Sequence, residues 1–176
     1  MAETVSVLIS QEDVEARIKE LAAQISKEYE GQDILLVCIL KGSIFFTTEL
    51  AKHITLPVTF DFMSVSSYGD ATVSSGRVKI IKDLDDSIEG KNVIVIEDII
   101  DSGRTLHHLL ALLSVRGPKS LKLCTLLDKP DRREVEVDVD YTGFKIPDAF
   151  VVGYGLDYKQ HYRNLPYVGV LHLDEE

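Results

Sequence analysis

The chain has 176 residues, of which 45% are hydrophobic and 27% are charged, and its formal net charge at pH 7 is −10. This balance is typical of a folded protein, and the length suits a single core, so we expect one domain over residues 1–176. The acidic charge disfavours nucleic acid as a partner, because phosphate backbones are bound by clustered Lys and Arg. No apolar run reaches the roughly 20 residues that cross a membrane, and no signal peptide is visible, so we expect a cytoplasmic protein without a membrane partner.

The first predicted elements are a helix and a buried strand. Residues 10–29 open with a capping-box pattern and then place apolar side chains on one face at helical spacing. The continuous apolar run at 34–40 indicates a strand buried on both faces, as in a parallel sheet flanked by helices. Cys38 lies in this run and Cys124 in a later one, which favours two buried thiols in a reducing compartment over a disulfide.

The pattern changes between residues 59 and 82. Two alternating segments, at 59–65 and 77–82, flank a run that is rich in small and polar residues. A loop of this length is usually either a lid over a site or disordered. We predict a lid at about residues 65–77.

Strands and helices alternate in the second half of the chain. The apolar run at 93–96 leads through polar residues into a helical stretch at 105–116, which Gly117 and Pro118 close. Further strands are predicted at 121–127, 149–152 and 168–171. This order predicts an α/β fold with a mostly parallel central sheet flanked by helices.

The segment between the run at 93–96 and the next helix carries the chemistry. Glu97 and Asp98 end the strand, and a turn of small and hydroxyl-bearing residues opens the helix. Open parallel sheets bind ligands beyond the carboxyl ends of their strands, where backbone N–H groups at a helix start attract phosphate. The turn is therefore predicted to hold a phosphate, and the two acids suit the hydroxyls of a sugar or a hydrated Mg²⁺. The turn consists of Asp101, Ser102, Gly103, Arg104 and Thr105. The alternative is an acidic surface loop that merely caps the helix.

Taken whole, residues 93–105 resemble the phosphoribosyl pyrophosphate signature of the type I phosphoribosyltransferases: four apolar residues, two acids, two apolar residues and Asp-Ser-Gly-Arg-Thr. The spacing differs from that of a nucleoside-triphosphate P-loop. Over about residues 5–172 the chain is similar to hypoxanthine–guanine phosphoribosyltransferases. The segments that carry this second resemblance are 40–43, 67–68, 127–130, 150–158 and 163–167.

This resemblance implies a type I phosphoribosyltransferase fold, with a small hood built from both chain ends and a flexible lid. It implies transfer of the 5-phosphoribosyl group from phosphoribosyl pyrophosphate to N9 of hypoxanthine or guanine, which gives IMP or GMP and pyrophosphate. Asp101 is then the general base that takes the purine N7 proton, although helix capping is its rival role. Glu97 and Asp98 hold the ribose hydroxyls, and the turn from Asp101 to Thr105 holds the 5-phosphate.

The resemblance also assigns residues to the pyrophosphate-binding site and to the lid. Lys41 and Gly42 fall where the family places its pyrophosphate-binding loop, which often contains a non-proline cis peptide bond. Arg163 adds a guanidinium suited to bidentate phosphate contact. Ser67 and Tyr68 fall in the lid, which excludes water from the reacting sugar.

For the purine, the resemblance implies that Phe150 stacks on the ring while Lys129 and the backbone of Val151 bind its edge. Lys129 donates to O6, which selects 6-oxopurines because adenine presents a donor there. The resemblance places Asp157 with these purine-binding residues and also brings it to a Mg²⁺ near the pyrophosphate. Mg²⁺ is therefore the expected cofactor, with Glu97, Asp98 and Asp157 as its protein contacts.

Two alternatives stay open at this point. One is a phosphoribosyltransferase with another base preference, for xanthine or a pyrimidine, because the phosphate turn reports only the sugar donor. The other is a non-catalytic regulator that keeps the fold and binds nucleic acid, which the retained Asp101 and the acidic charge disfavour. The sequence does not rank hypoxanthine, guanine and xanthine, and the expected homodimer or homotetramer follows from the resemblance alone.

Overall fold

A computed structural model describes residues 2–67 and 78–174. In chain order its elements are β1 (Glu3–Ile9), α1 (Gln11–Glu28), β2 (Ile34–Ile39), α2 (Ile44–His53), β3 (Val58–Ser67), β4 (Val78–Lys82), β5 (Asn92–Ile100), α3 (Arg104–Ser114), β6 (Ser120–Asp128), a 3₁₀ turn (Pro130–Arg132), β7 (Tyr141–Lys145), β8 (Val151–Val152) and β9 (Val168–Leu173). Within the described residues, no helix is long and apolar enough to cross a membrane.

The central sheet has six strands in the order β4-β3-β2-β5-β6-β7. Only the pair β3–β4 is antiparallel in this sheet as described, and the other four pairs are parallel. The predicted α/β fold with a mostly parallel sheet is therefore confirmed. Because parallel strands end at the same edge, the segments that follow β2, β5 and β6 come together there.

Two apolar cores explain why β2 and β5 are continuous apolar runs. Alternate strand residues such as Leu36 and Ile94 pack against α1 and α2. Their neighbours, such as Leu35 and Val93, pack against α3 on the other face. A strand covered by helices on both faces has no polar side, so its sequence does not alternate.

A second sheet joins the two chain ends. It has three antiparallel strands in the order β1-β9-β8. β9 is central, with Val5 opposite Leu171 in β1 and Val152 opposite Gly169 in β8. This small sheet comes from the parts of the chain that we expected to form the hood.

The structure departs from the sequence-based elements in several places. β1, α2 and β7 were not predicted, and β8 covers only the end of the strand expected at 149–152. β1 is mostly exposed, and its alternation of polar and apolar residues is short, because the last three residues are all apolar. α2 begins without a side-chain hydrogen bond from Ser43 and without acidic residues in its first turn, so it lacks the usual start signals.

Candidate active site

The turn between β5 and α3 forms a small cavity of about 210 Å³ at the carboxyl edge of the sheet. Gly103 precedes α3 with a φ of 83°, a left-handed conformation that favours glycine. The N–H of Arg104 donates to Ser102 Oγ at 3.3 Å, which tightens the turn. The cavity is lined by Glu97, Ile99, Ile100, Asp101, Ser102, Gly103, Thr105 and Leu106.

The segment after β6 fastens this turn from behind. The carbonyl of Ser102 accepts from the N–H groups of Glu134 and Val135, at 2.9 and 3.1 Å. Arg133 Nε donates to the carbonyl of Asp101 at 3.3 Å, and the same guanidinium pairs with the buried Asp128. A trans peptide plane points its N–H opposite to its carbonyl, so these bonds fix where the N–H groups of the turn point. The backbone of the turn is thus held in one conformation from outside the turn.

The side chain of Arg104 is engaged elsewhere. Its Nε lies 2.5 Å from Glu134 Oε2, an exposed ion pair beside the turn. Arg104 therefore shapes the turn through its backbone and through this pair.

Glu97 and Asp98 are partly buried at the end of β5. Burial raises the pKa of Glu97 well above its ordinary value, and the neighbouring Asp98 charge adds to this. Burial also raises the pKa of Asp98, against the hydrogen bonds that it accepts and the nearby Arg163 cation. Two crowded acids of this kind are stabilised as carboxylates by hydroxyl donors or by a cation. Such groups are what a ribose diol or a hydrated Mg²⁺ brings.

The loop after β2 lies directly over these acids. The bond between Leu40 and Lys41 is cis, as the resemblance implies. A Cβ on Gly42 would stand 1.8 Å from Asp98 Oδ2. A Cβ on Gly155 would stand 2.0 Å from the Gly42 carbonyl oxygen, and Gly155 has a φ of 99°. The loops at residues 40–43 and 153–156 can pack this closely only because both positions are glycine.

Arg163 lies beside this pair of loops. Its Nη1 donates to the Gly155 carbonyl at 2.6 Å, and its Nη2 lies 3.3 Å from Asp157 Oδ1. The same Nη2 and the ammonium of Lys41 also reach one oxygen of Gln160. The predicted pyrophosphate contacts, Lys41, Gly42 and Arg163, are thus brought to one place.

Lys129 joins the turn to the region expected to bind the purine. It is 9% exposed, and its Nζ lies 3.8 Å from Asp101 Oδ1 and 3.9 Å from Asp148 Oδ1. The ring of Phe150 is 54% exposed and meets Tyr158 edge-on, with 5.7 Å between ring centroids. Val151, which follows, is in β8. An exposed aromatic face of this kind suits stacking with a flat ring.

The lid prediction is described only at its first residues. Ser67 ends β3, and its Oγ lies 3.4 Å from Thr105 Oγ1 in the phosphate turn. Tyr68 and the rest of the predicted lid lie outside the described residues. The start of the predicted lid is therefore in contact with the turn.

The donor set for a metal ion is incomplete without a substrate. Over residues 2–67 and 78–174, no three His, Cys, Asp or Glu side chains form a cluster that could hold a metal. Glu97, Asp98 and Asp157 are hard oxygen donors, which fit Mg²⁺ in kind. Mg²⁺ usually keeps several waters and takes one or two carboxylates together with substrate phosphates.

Four residues with close contacts to the site were not singled out in the sequence. Arg133 and Asp128 fasten the turn, Asp148 contacts Lys129, and Gln160 contacts both Lys41 and Arg163. The charged run at 128–134 looks like an exposed turn, and nothing in its composition indicates that Asp128 is buried. Gln160 gives no signal because an isolated surface glutamine is ordinary.

Comparisons with known proteins identify the family. Residues 7–159 match the phosphoribosyl transferase domain model. The hypoxanthine-guanine phosphoribosyltransferase of Bacillus subtilis is 55% identical over 94% of this chain and 92% of its own length. The bifunctional TilS/HprT protein of Listeria monocytogenes is 57% identical over 94% of this chain, which spans only 26% of that relative.

A solved structure supports the same family assignment. The crystal structure of a hypoxanthine-guanine phosphoribosyltransferase from Bacillus anthracis, which has a HEPES molecule in its active site, aligns with a TM-score of 0.92. It is 48% identical, and the alignment covers 98% of this chain and 100% of that one. The chain therefore belongs to the hypoxanthine–guanine phosphoribosyltransferases of the type I phosphoribosyltransferase family.

Proposed function

We propose that this protein is a purine salvage enzyme, a pentosyltransferase that moves the 5-phosphoribosyl group of phosphoribosyl pyrophosphate to N9 of hypoxanthine or guanine. The products are IMP or GMP and pyrophosphate. The observation that carries the proposal is that the carboxyl edge of one parallel sheet gathers a preorganised phosphate turn, two crowded acids and two cations. Lys129, adjacent to Asp101, completes this set.

The sugar donor fits this edge in three parts. The 5-phosphate binds in the turn from Asp101 to Thr105, where backbone N–H groups and hydroxyls donate to it. Glu97 and Asp98 accept from the ribose hydroxyls, whose hydrogen bonds favour the carboxylate forms. Lys41, the Gly42 backbone and Arg163 bind the pyrophosphate.

Asp101 acts on the base. O6 and N7 are adjacent on a 6-oxopurine, and Lys129 Nζ lies 3.8 Å from Asp101 Oδ1. One purine edge can therefore accept from Lys129 at O6 while Asp101 takes the N7 proton as N9 attacks C1 of the ribose. The nearby carboxylates favour the positive charge that the sugar develops as the bond to pyrophosphate breaks. Adenine would place a donor against Lys129.

Mg²⁺ is the proposed cofactor, with Glu97, Asp98 and Asp157 as protein contacts directly or through water. When bound, it would neutralise charge on the pyrophosphate. Phe150 stacks on the purine, the Val151 backbone binds its edge, and Ser67 and Tyr68 belong to a lid that excludes water.

Further properties follow from the same proposal. The chain is one domain whose three-stranded sheet serves as the hood, and it works in the cytoplasm without a nucleic-acid or membrane partner. It forms a homodimer or homotetramer. Large apolar side chains stay exposed on a single copy, among them Phe60 at 46% and Ile81 at 65%, which supports self-association.

The test is a spectrophotometric assay with phosphoribosyl pyrophosphate and Mg²⁺ that offers hypoxanthine, guanine, xanthine and adenine separately. Hypoxanthine and guanine are expected to turn over and adenine is not. Asp101→Asn should lower kcat by about 10²- to 10⁴-fold, the range for loss of a general base. If the sugar donor binds tightly and no purine turns over, the chain is a sensor and the proposal fails.

A further inference from the structure

Two cations that come from distant parts of the chain meet at one neutral atom. Gln160 Oε1 lies 3.4 Å from Lys41 Nζ and 3.1 Å from Arg163 Nη2. An amide oxygen has two lone pairs and can accept from both donors at once. Two like charges that would otherwise repel are thus held around a shared acceptor.

The backbone at Gln160 is arranged to place this oxygen. The N–H of Gln160 donates to Asp157 Oδ2 at 2.8 Å. Its φ is 68°, and Lys159 and Tyr162 have φ values of 50° and 77°. The left-handed conformation is unfavourable for residues with a Cβ, so surrounding contacts must hold this loop. The bond from Arg163 to the Gly155 carbonyl, at 2.6 Å, is one of them.

We propose that Gln160 is a positioning residue for the pyrophosphate group. It holds Lys41 and Arg163 at a common point before their anion arrives, and it keeps these hydrogen bonds while the other N–H groups of both cations donate to the bound pyrophosphate. The inference rests on the proposed function, since it takes Lys41 and Arg163 to be the pyrophosphate-binding cations. Gln160 itself touches no reacting atom and acts only through these two side chains.

The neutrality of the amide is central to this role. An uncharged acceptor orients the two donors and leaves their positive charge available to the incoming anion. A glutamate in the same place would form charge-assisted bonds, which are roughly twice as strong, and would cancel one unit of positive charge. Asp157 already places one negative charge 3.3 Å from Arg163. A second one would make the site compete with its own ligand.

Calorimetric titration of the whole protein separates this role from a structural one. The ligands are inorganic pyrophosphate with Mg²⁺, which contacts both cations, and IMP, which has no pyrophosphate. Gln160→Met removes the acceptor and keeps the length of the side chain. It should weaken pyrophosphate binding by about 3- to 10-fold, the effect of one or two exposed hydrogen bonds, and leave IMP binding within about twofold. The KM for phosphoribosyl pyrophosphate should rise in parallel.

Two further variants sharpen the test. Asn tolerates a left-handed backbone better than Gln does but is one methylene shorter, so Gln160→Asn should weaken pyrophosphate binding as Gln160→Met does, with an unchanged Tm. Gln160→Glu should weaken it by about tenfold, and added salt should lessen that loss. Wild-type affinity for pyrophosphate in Gln160→Asn or Gln160→Glu would overturn the inference.

The matched controls change another surface glutamine, Gln24 of α1, whose amide donates to Glu28. Gln24→Met and Gln24→Glu make the same chemical changes at a site without Lys41 or Arg163, and neither should alter pyrophosphate binding. Equal losses for pyrophosphate and IMP in the Gln160 variants would mean general disruption and would overturn the inference. If the wild-type protein binds no pyrophosphate and turns over no purine, the proposed function fails instead.

Discussion

The two ends of β5 differ in how their polar groups are satisfied. At its start, Asn92 is 9% exposed and has partners on both sides of its amide: it donates to Gln32 Oε1 at 3.1 Å and accepts from Ser120 Oγ at 3.0 Å. At its end, Glu97 and Asp98 crowd each other, and burial raises the pKa of both. The polar groups at the start have their partners within the chain, whereas we propose that those at the end find theirs in a ligand.

This contrast separates stability from function along a single strand. Residues at the start of β5 lower the free energy of the folded protein, whereas the acids at its end raise it until a ligand is present. Cavity size does not make this distinction. A cavity of about 550 Å³ lies at the start of the strand and one of about 210 Å³ at its end. The two cavities are distinguished by the side chains that line them, and Glu97, one of the two crowded acids, identifies the smaller one as the candidate site.

The largest effect in this comparison is expected from weakening the hydrogen bonds that hold the turn at residues 101–105. Arg133→Lys keeps a cation beside Asp128, but a single ammonium cannot also reproduce the guanidinium bond to the Asp101 carbonyl. Because small displacements of reacting groups slow catalysis strongly, kcat/KM should fall about 10- to 100-fold. Steady-state kinetics with hypoxanthine and phosphoribosyl pyrophosphate would measure this.

Arg17→Lys is the matched control for that variant. Arg17 also donates to backbone carbonyls, those of Thr142 and Gly143, at 2.8 and 3.0 Å, but it joins α1 to β7. This variant should lower the Tm and leave kcat/KM unchanged. Equal kinetic losses in the two lysine variants would show that Arg133 has no particular link to the turn.

At the start of β5, a substitution should affect stability alone. Asn92→Ala removes three hydrogen bonds and leaves the polar groups of Gln32, Asp33 and Ser120 without this partner. The free energy of unfolding should fall by about 2 kcal/mol, while kcat/KM of the folded protein stays within about twofold. Urea denaturation and kinetics on the same preparation test both halves. A large loss of kcat/KM without a loss of stability would break the comparison.

At the end of β5, the sign of the stability effect should reverse. A carboxyl whose pKa is raised on folding adds stability at acid pH, and this is lost as the pH rises through the folded-state pKa. Glu97→Gln removes the ionisation, so at neutral pH the ligand-free protein should gain about 1 kcal/mol, or about 2–4 °C in Tm. The gain should vanish near pH 4, and activity should fall. A Tm below that of the wild type at pH 7.5 would contradict the comparison.

More could be predicted from the sequence about the end of β5 than about its start. The order of residues at 93–105 predicted a turn between β5 and α3 with two acids before it, and the structure has both. That this turn binds phosphate stays a prediction. The continuous apolar runs predicted the parallel sheet, because strands covered on both faces cannot alternate.

The sequence could not predict contacts between residues that are far apart in the chain. The buried Asp128 and the partly exposed Arg133 reach the turn only because β6 lies beside β5, with Asp128 opposite Ile100. Gln160 meets Lys41 across 119 positions of the chain. β1 and α2 were missed because the alternation in β1 is short and gives way to the apolar run at residues 7–9, and because α2 has no acidic residue in its first turn to strengthen its N-cap Ser43.

The smallest effect is expected from the two cysteine thiols. Their reactivity measures how often the middle of the central sheet opens to solvent. Cys38 and Cys124 are fully buried and lie in one row, each opposite Ile96. Burial raises the pKa of Cys124, so little reactive thiolate forms there. Both should resist alkylation by iodoacetamide for as long as the protein stays folded and react together in denaturant. Cys38 lies next to the loop that covers the acids, since its Sγ is 3.3 Å from Ser43 Oγ. Selective labelling of Cys38 in native buffer would therefore mean that the sheet opens locally near the site. Protection of both thiols would mean that the two ends of β5 are packed equally well and differ only in the charge of their side chains.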